Sequence, residues 1–509
     1  MLRAITAVAA TLMALLATAV IPAGVMAAET APDYNAIDRY VSSSLAGSPG
    51  IALAIVHGDQ VVHVKGFGAA DGSGRPVAAD TPFVIGSQSK SFTALGIMQL
   101  SERGSLDLDA PIQRYLPWFR VADAGYSARI TIRQLLNQTS GLPPSAPFDS
   151  QVTTFEQRVR DLATVHLTSA PGRAFAYSNP NYDALGSVIE AVSGLPYGDY
   201  VAQNIFAPLG MTNSFASEPA AQAHGLATGH QWWYGLAVPT DTYRADYVPA
   251  GYLISSVSDM SHYLIAQLQG GVYNGYRVLS PAGIAQMHTG VAKVSTGGFY
   301  GMGWEQGELN GTTVVSHDGD SLNMHSDMML VPSSGWGVEL IINSDSIPLL
   351  LTASVEATAK GVISMLLGSA VPPTVSPAAT YLVFDAVVLV LVAFQLWSVV
   401  RASRSRVRRS VGWRSGLRHL VLPAAWRGAL ALVAIGLIGL FSQQVGSSYQ
   451  SIAGTDFGIA LLVIAALLIV NSVVRVARYV GAPRPAGQAG LATTSVKGAI
   501  AAASHRVGG

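Results

Sequence analysis

The chain has 509 residues, of which 50% are apolar and 12% are charged, and it contains no cysteine. This composition suffices for a large buried core and excludes disulfide bonds as a source of stability. The formal net charge of zero hides two unlike regions: 28 acidic and 16 basic residues at 29–380 give −12, while 2 acidic and 13 basic residues from 381 onwards give +11. An acidic body lacks the clustered cations that phosphate binding needs, so nucleic acid is excluded as the expected partner.

The amino terminus has the pattern of an export signal. Arg3 precedes a long apolar run, and small residues follow where a signal peptidase would cut. We therefore predict a signal peptide at 1–28, followed by an exported domain at 29–368. The apolar run is also long enough to remain as an uncleaved anchor, and both outcomes place the next domain outside the cytoplasm.

Two β-hairpins bracket the exported region, and helical patterns fill the space between them. Residues 51–68 form two β-rich runs broken at Gly58, and residues 325–345 repeat this form with a turn at 332–335. Between the hairpins, segments such as 256–271 place apolar residues at helical spacing before a pair of glycines. The pattern predicts an α+β fold with an antiparallel sheet flanked by helices.

The carboxy-terminal part has the pattern of a membrane anchor. After a Pro-rich linker at 369–380, three apolar stretches approach the length of about 20 residues that spans a bilayer. These stretches are Tyr381–Val400, Gly428–Val445 and Phe457–Val474. We predict three transmembrane helices at 381–475 and a tail at 476–509.

Arginine marks one side of these spans. Eight arginines lie at 401–427, between the first and second spans, whereas the connection between the second and third has no basic residue. By the positive-inside rule, the arginine side and the tail are cytoplasmic. The prediction is a multi-pass cell-membrane protein whose preceding domain is extracytoplasmic and whose membrane partner is lipid.

One short segment carries a candidate nucleophile. In "FVIGSQSKSFTALG", residues 83–96, Ser87 stands three positions before Lys90 in a chain with few lysines. A serine hydroxyl needs a base within hydrogen-bond reach, and positions three apart share a face if a helix opens at Ser87. Lysine accepts a proton only when burial or a nearby cation makes it partly neutral. By itself the spacing is a weak signal, because a surface lysine on a solvated helix has the same pattern.

Two further motifs follow in order. They are Tyr177-Ser178-Asn179 and His317-Asp318-Gly319, and their context words are "IRQLLNQTSGLP" at 132–143 and "PGRAFAYSNPNYDALGSVIE" at 171–190. With the Ser87 segment, the sequence resembles serine hydrolases related to class C β-lactamases and penicillin-binding peptidases over about 51–345. The resemblance implies their fold, an antiparallel sheet flanked by helices with a helical subdomain.

The resemblance also implies roles for individual residues. Ser87 would attack a carbonyl carbon and become acylated, and Lys90 and Tyr177 would share the proton transfers, with the identity of the general base left open. Asn179 would hold the substrate amide or orient Lys90. Gly319 would let the strand backbone approach the substrate, and the N–H of Asp320 would form the oxyanion hole together with that of Ser87.

The third motif departs from the family pattern. Penicillin-recognising members typically have lysine at the position of His317, and its fixed charge attracts the substrate carboxylate. Histidine is mostly neutral at neutral pH, so a neutral ester or amide becomes the more plausible substrate. Asp318 and Asp320 would repel an anionic substrate or favour a cationic one.

The sequence therefore predicts an exported, membrane-anchored serine hydrolase that acts on an amide or ester, including D-amino-acid peptides. The alternatives are a true class C-like β-lactamase, or a penicillin-binding-type receptor or pseudoenzyme that binds wall fragments without turnover. No metal site is predicted, because the chain has no cysteine and no His-Glu-x-x-His. No cofactor is predicted either, since no Gly-rich phosphate loop follows a strand.

Overall fold

The computed structural model describes residues 32–144, 154–294, 297–404, 421–445 and 454–482. The predicted signal peptide at 1–28 lies outside the described residues. So do most of the arginine-rich connection after the first span and most of the predicted tail.

Strands occur where β-branched and apolar residues run between turn residues. They are β1 (Gly50–His57), β2 (Gln60–Gly68), β3 (Phe83–Val84), β4 (His230–Trp233), β5 (Leu236–Pro239), β6 (Ile254–Ser255), β7 (Val272–Tyr273), β8 (Tyr276–Arg277), β9 (Ala292–Lys293), β10 (Phe299–Tyr300), β11 (Glu305–Leu309), β12 (Thr312–Asp320), β13 (His325–Val331), β14 (Trp336–Ile342) and β15 (Ser344–Asp345). Both predicted hairpins are present, as β1–β2 and β13–β14.

Helices fill most of the remaining described chain. They are α1 (Tyr34–Ser44), α2 (Ser89–Glu102), α3 (Ala124–Ser127), α4 (Ile132–Leu136), α5 (Phe155–Asp161), α6 (Asn179–Ser193), α7 (Tyr197–Val201), α8 (Glu218–Gln222), α9 (Val248–Gly251), α10 (Val257–Leu268), α11 (Pro281–His288), α12 (Ile347–Thr352), α13 (Ser354–Leu366), α14 (Pro377–Arg404), α15 (Leu422–Val445) and α16 (Asp456–Val480). Shorter helical turns occur at Gly86–Gln88, Ile112–Arg114, Leu162–Thr164, Ala202–Phe206 and Ala245–Tyr247.

An eight-stranded antiparallel sheet organises the domain, in the order β2-β1-β14-β13-β12-β11-β10-β9. The two ends of the region, β1 and β14, pair as the second and third strands from the β2 edge of this sheet. The α+β fold with an antiparallel sheet is therefore confirmed.

Each face of the sheet packs against helices, because successive side chains of a strand point to opposite faces. On one face, Leu53 and Leu340 pack with residues of α1 and α13. On the other face, Ala54 and Ile341 belong to the larger core formed with α2, α6 and α10. Both layers exclude water from β1, which explains why this strand reads as a continuous apolar run.

Three helices that could cross a membrane overlap the predicted apolar stretches. Among the described residues, four helical segments are long and apolar enough to cross a membrane: Ile347–Leu366, Pro377–Arg404, Leu422–Leu440 and Asp456–Val480. The first of these is half buried and packs on the sheet through α13, so we assign it to the folded domain. The other three coincide with the predicted spans.

The folded domain, the first of two compact units, extends to Phe384. The Pro-rich segment predicted as a linker packs against the end of α1 and the turn after it, where the Ala378 N–H donates to the Ala46 carbonyl at 3.0 Å. The Thr374 hydroxyl donates to Ser44 at 3.2 Å. These hydrogen bonds hold the start of α14 against the domain.

Candidate active site

The nucleophile candidate lies in a tight turn before a buried helix. Ser87 belongs to the 3₁₀ turn Gly86–Gln88, and the α-helix itself begins at Ser89, two residues later than the sequence suggested. The turn is held by the Ser89 hydroxyl, which donates to the Gly86 carbonyl at 2.7 Å. Within 81–100, Ser87 is the one residue that is not buried, so the hydroxyl is the part of this segment that a substrate can reach.

The Lys90 amine is buried beside that hydroxyl. Nζ lies 2.9 Å from Ser87 Oγ, 2.8 Å from Asn179 Oδ1 and 2.6 Å from the Ala250 carbonyl oxygen. A neutral amine has two N–H donors and one lone pair. Asn179 Oδ1 and the carbonyl are both acceptors, so they take the two donors and leave the lone pair for the Ser87 O–H.

Burial also favours the neutral amine. It lowers the pKa of Lys90 to about 7, while the charges of Asp183 and Asp318 act in the opposite direction. A substantial fraction of the lysine is therefore uncharged at neutral pH. This is the protonation state that a general base requires.

Tyr177 lies next to this pair. The Lys90 amine is 4.7 Å from the centre of the Tyr177 ring, and Tyr177 makes a side-chain hydrogen bond with Ser87. Burial and the charge of Asp318 raise the pKa of Tyr177 well above 10, and the hydrogen bond with Ser87 only partly offsets them. The phenol is thus protonated at neutral pH and acts as a hydrogen-bond donor, not as a ready base.

His317 completes the cluster from β12. Its side chain is buried, and Nδ1 lies 2.6 Å from the Asp318 carbonyl oxygen, to which it donates. Nε2 is therefore the acceptor in the neutral ring, and the Tyr300 hydroxyl donates to it at 3.2 Å. Burial lowers the pKa of His317 to about 4, so the imidazole supplies no fixed positive charge at neutral pH.

Two glycines allow the end of β12 to approach the nucleophile turn. A Cβ on Gly319 would overlap the Ile85 carbonyl oxygen, and a Cβ on Gly86, where φ is +54°, would overlap the backbone of Gly319 and Asp320. This close approach brings the Asp320 backbone to the turn that carries the Ser87 N–H. Two N–H groups so placed can form an oxyanion hole.

The Asp320 carboxyl does not have the environment expected of a charged group that repels anionic substrates. Its Oδ1 accepts a hydrogen bond from the Leu322 N–H at 2.6 Å. Burial, followed by the charge of Asp345, raises the pKa of Asp320 well above the usual range. The charged form of Asp320 is therefore disfavoured, and Asp318, whose side chain is 53% exposed, is the acidic group of this motif that faces solvent.

Gly319→Ala is expected to reduce the rate of acylation by about 10²-fold or more, because the added methyl group separates β12 from the nucleophile turn and displaces an oxyanion donor. Gly307→Ala on β11 is the matched control, since its Cβ would meet only Val314 Cγ2 at an ordinary 3.9 Å. The prediction is checked by comparing the acylation rates of the two variants after confirming that their melting temperatures are equal. An unchanged rate in Gly319→Ala would contradict it.

A buried ion-pair network supports the elements that hold Lys90. Arg158 of α5 contacts Asp183 of α6 and Asp246 of the turn before α9, each at 3.3 Å. Helix α6 also carries Asn179, and α9 carries the Ala250 carbonyl. Both groups accept hydrogen bonds from the Lys90 amine. This network was not predicted from the sequence, although Asp183 stands four residues after Asn179 and thus on the same helix face.

Arg158→Leu is expected to destabilise the domain by about 3–5 kcal/mol, because it removes the cation that contacts the buried Asp183, whereas Asp246 keeps its pair with Arg244. Arg160→Leu is the matched control on the same helix. Its pair with Glu156 is 44% and 46% exposed, and such surface pairs contribute at most about 1 kcal/mol. Thermal unfolding of both variants in detergent measures the difference. Equal melting temperatures would show that the buried network does not support the fold.

Next to the cluster, a groove of about 770 Å³ offers space for a substrate. Its lining includes Phe175, Ala292 and two exposed cations, Arg173 and Lys293. Phe175 and Ala292 also pack with Tyr177 and Tyr300. Part of the groove wall therefore packs against one motif residue, Tyr177.

The fold and this arrangement define a serine β-lactamase and penicillin-binding-protein class of domain. Residues 37–351 match the family model described as Beta-lactamase, and the chain belongs to that family.

Individual relatives match this chain at 28–31% sequence identity. "Protein flp" of Staphylococcus aureus (strain COL) is 29% identical over 314 residues, which are 60% of this chain and 61% of that protein. "Penicillin-binding protein 4" of Amycolatopsis lactamdurans is 31% identical over 309 residues, covering 58% of this chain and 81% of that protein. The solved octameric penicillin-binding protein homologue from Pyrococcus abyssi matches with a TM-score of 0.60 at 28% identity, over 66% of this chain and 78% of that one. The present chain thus spans 61% of the length of the flp protein.

Proposed function

We propose that this protein is an exported, membrane-anchored serine hydrolase that acts on an amide or ester through an acyl-enzyme at Ser87. The observation that carries the proposal is the buried Lys90 amine 2.9 Å from the Ser87 hydroxyl, with its other two contacts both to acceptors. A serine with an adjacent base of lowered pKa is the arrangement of an activated nucleophile.

The proposed reaction follows from this geometry. Ser87 Oγ attacks the carbonyl carbon while its proton passes to Lys90 Nζ, and the N–H groups of Ser87 and Asp320 stabilise the oxyanion. When the tetrahedral intermediate collapses, the leaving amine or alkoxide takes a proton from the Lys90 ammonium, directly or through the Tyr177 phenol. A water molecule then attacks the acyl-enzyme with Lys90 again as the base, which releases the acid and restores Ser87.

The neutral imidazole of His317 shapes the proposed substrate class. Without a fixed cation at this position, the site has little attraction for a carboxylate placed as in penicillin. Esters and amides, including D-amino-acid peptides, are therefore proposed as better substrates than β-lactams. The spans and the arginine distribution support an extracytoplasmic site, which is where such peptides occur.

A substrate panel on the full-length protein in nanodiscs tests the proposal. The panel compares a p-nitrophenyl ester, a D-aminoacyl amide and a β-lactam, with a fluorophosphonate probe as a check on the nucleophile. Turnover of the ester or amide above that of the β-lactam supports the proposal. A stable acyl adduct without turnover would identify a receptor, and labelling no greater than in Ser87→Ala would identify a pseudoenzyme.

The pH dependence of kcat/KM provides a further prediction. The active form has neutral Lys90, so the rate rises as pH increases through about 7, where Lys90 loses its proton. Asp183→Asn is expected to move this rise to lower pH, because the negative charge of Asp183 favours the Lys90 ammonium. A profile that is flat between about pH 6 and 8 would contradict Lys90 as the titrating base.

A further inference from the structure

The β4–β5 hairpin is uncharged, and apart from His230 and Gln231 at its base the side chains of its two strands are apolar or aromatic. It turns at Tyr234 and Gly235, both of which have positive φ (+45° and +77°), as a two-residue type I′ turn requires. No residue at 229–240 carries a formal charge at pH 7, whereas the domain around it is acidic.

One face of the hairpin packs against the start of α14. Trp232 is 4% exposed and stacks on Tyr381 with ring centres 5.0 Å apart and planes 17° apart. The Tyr381 hydroxyl donates to the Trp232 carbonyl at 3.2 Å, and Leu349 packs in the same cluster. The pair Tyr234 and Phe384 stacks at 6.3 Å. The hairpin is thus attached to the first turns of the helix that leads into the first predicted span.

The opposite face is open. Trp233 pairs with Leu236, and Gln231 pairs with Val238, so these four side chains share one face. Leu236 is 69% exposed and Val238 is 38% exposed. This face therefore presents apolar side chains that a protein or a membrane could cover.

The hairpin is held firmly at its base. The Thr240 N–H donates to the Gly229 carbonyl at 2.9 Å, and Asn323 Nδ2 donates to the Thr240 carbonyl at 2.7 Å. The Thr242 hydroxyl donates to the Ser321 carbonyl at 2.7 Å. Ser321 follows Asp320 directly, so the hairpin is attached to the turn beside the proposed oxyanion hole.

We propose that the open face of this hairpin, residues Trp233, Leu236 and Val238, rests in the outer surface of the lipid bilayer. Tyr381 begins the first predicted span, and a side chain at the beginning of a span lies at the membrane–water interface. The hairpin packed on Tyr381 lies at the same level. Aromatic residues with exposed aliphatic neighbours and no charge match the headgroup boundary of a bilayer, where Trp and Tyr are enriched.

The inference rests on the proposed membrane anchoring and adds a second contact to it. A domain joined to the membrane by α14 alone would be free to tilt. Contact of the hairpin with lipid holds the edge of the domain that carries the turn after Asp320 at a fixed height above the membrane. The site would then act on substrates at that height.

The absence of cysteine allows a direct test, because each single-cysteine variant of the full-length protein carries one thiol. Leu236→Cys and Val238→Cys are labelled with an environment-sensitive fluorophore and placed in phosphatidylcholine/phosphatidylglycerol nanodiscs with and without a lipid-borne quencher. Tyr276→Cys is the matched control, since Tyr276 is 65% exposed in another short hairpin, β7–β8. Leu389→Cys, in α14 and 70% exposed, reports on the anchor itself.

We expect a blue-shifted emission and loss of intensity with quencher at 236, 238 and 389, and neither change at 276. Quenching at 389, together with equally weak quenching at 236, 238 and 276, would overturn the hairpin inference. The proposed membrane anchor would remain supported. Absence of quenching at 389 would overturn both the anchor and the inference.

Discussion

Replacing Ser87 with alanine is expected to remove acylation and to reduce hydrolysis of an ester or amide by at least about 10³-fold. The hydroxyl is the exposed group of an otherwise buried segment and the hydrogen-bond partner of both Lys90 and Tyr177. Removing one oxygen atom leaves the turn intact, because Ser89 and not Ser87 donates to the Gly86 carbonyl. The loss should therefore be chemical and not structural.

Intact-mass measurement after incubation with the fluorophosphonate probe, together with steady-state rates, checks this prediction. Ser105→Ala, at an exposed position just beyond α2, is the control and should label and turn over like the wild type. Labelling of the Ser87→Ala variant at the wild-type rate would show that another residue is the nucleophile.

Lys90→Met is expected to lower the rate of acylation by about 10²–10⁴-fold, and by more than Tyr177→Phe does. Methionine keeps much of the buried chain but supplies no base. Burial brings the pKa of Lys90 down to about 7, whereas it raises the pKa of Tyr177 well above 10. At neutral pH the amine is therefore available to accept the Ser87 proton, and the phenol is not.

Pre-steady-state acylation with the same ester separates the two roles. Tyr177→Phe should lose less activity with a p-nitrophenyl ester, whose leaving group needs no proton, than with an amide, whose nitrogen must be protonated to leave. Lys90→Met should lose activity with both. The reverse order, with Tyr177→Phe the more damaged variant on the ester, would assign the base to the phenol.

Part of the site followed from local sequence. Ser87 and Lys90 are three positions apart, so any helical turn brings them together, although the structure uses a 3₁₀ turn before the α-helix. The hairpins were recognisable because turn residues interrupt β-rich runs. The packing of Trp232 on Tyr381, by contrast, joins residues that are far apart in the sequence.

Other features had no local signal. Asn179 lies 89 positions from Lys90 and the Ala250 carbonyl lies 160 positions away, and a backbone carbonyl has no signature in a sequence. The hydrogen bond between Tyr300 and His317 and the raised pKa of Asp320 near Asp345 also depend on chain segments that meet only in the folded sheet.

The sequence by itself determined which chemical groups are present, their order along the chain, and the division into an acidic region and an apolar, arginine-bordered carboxy-terminal region. These properties depend on composition and on short-range periodicity. Only the tertiary structure decided the protonation states of Lys90, Tyr177 and His317, because a pKa responds to burial and to charges contributed by distant segments. It also decided that one face of the β4–β5 hairpin stays open, since the packing of Trp232 on Tyr381 orients the hairpin.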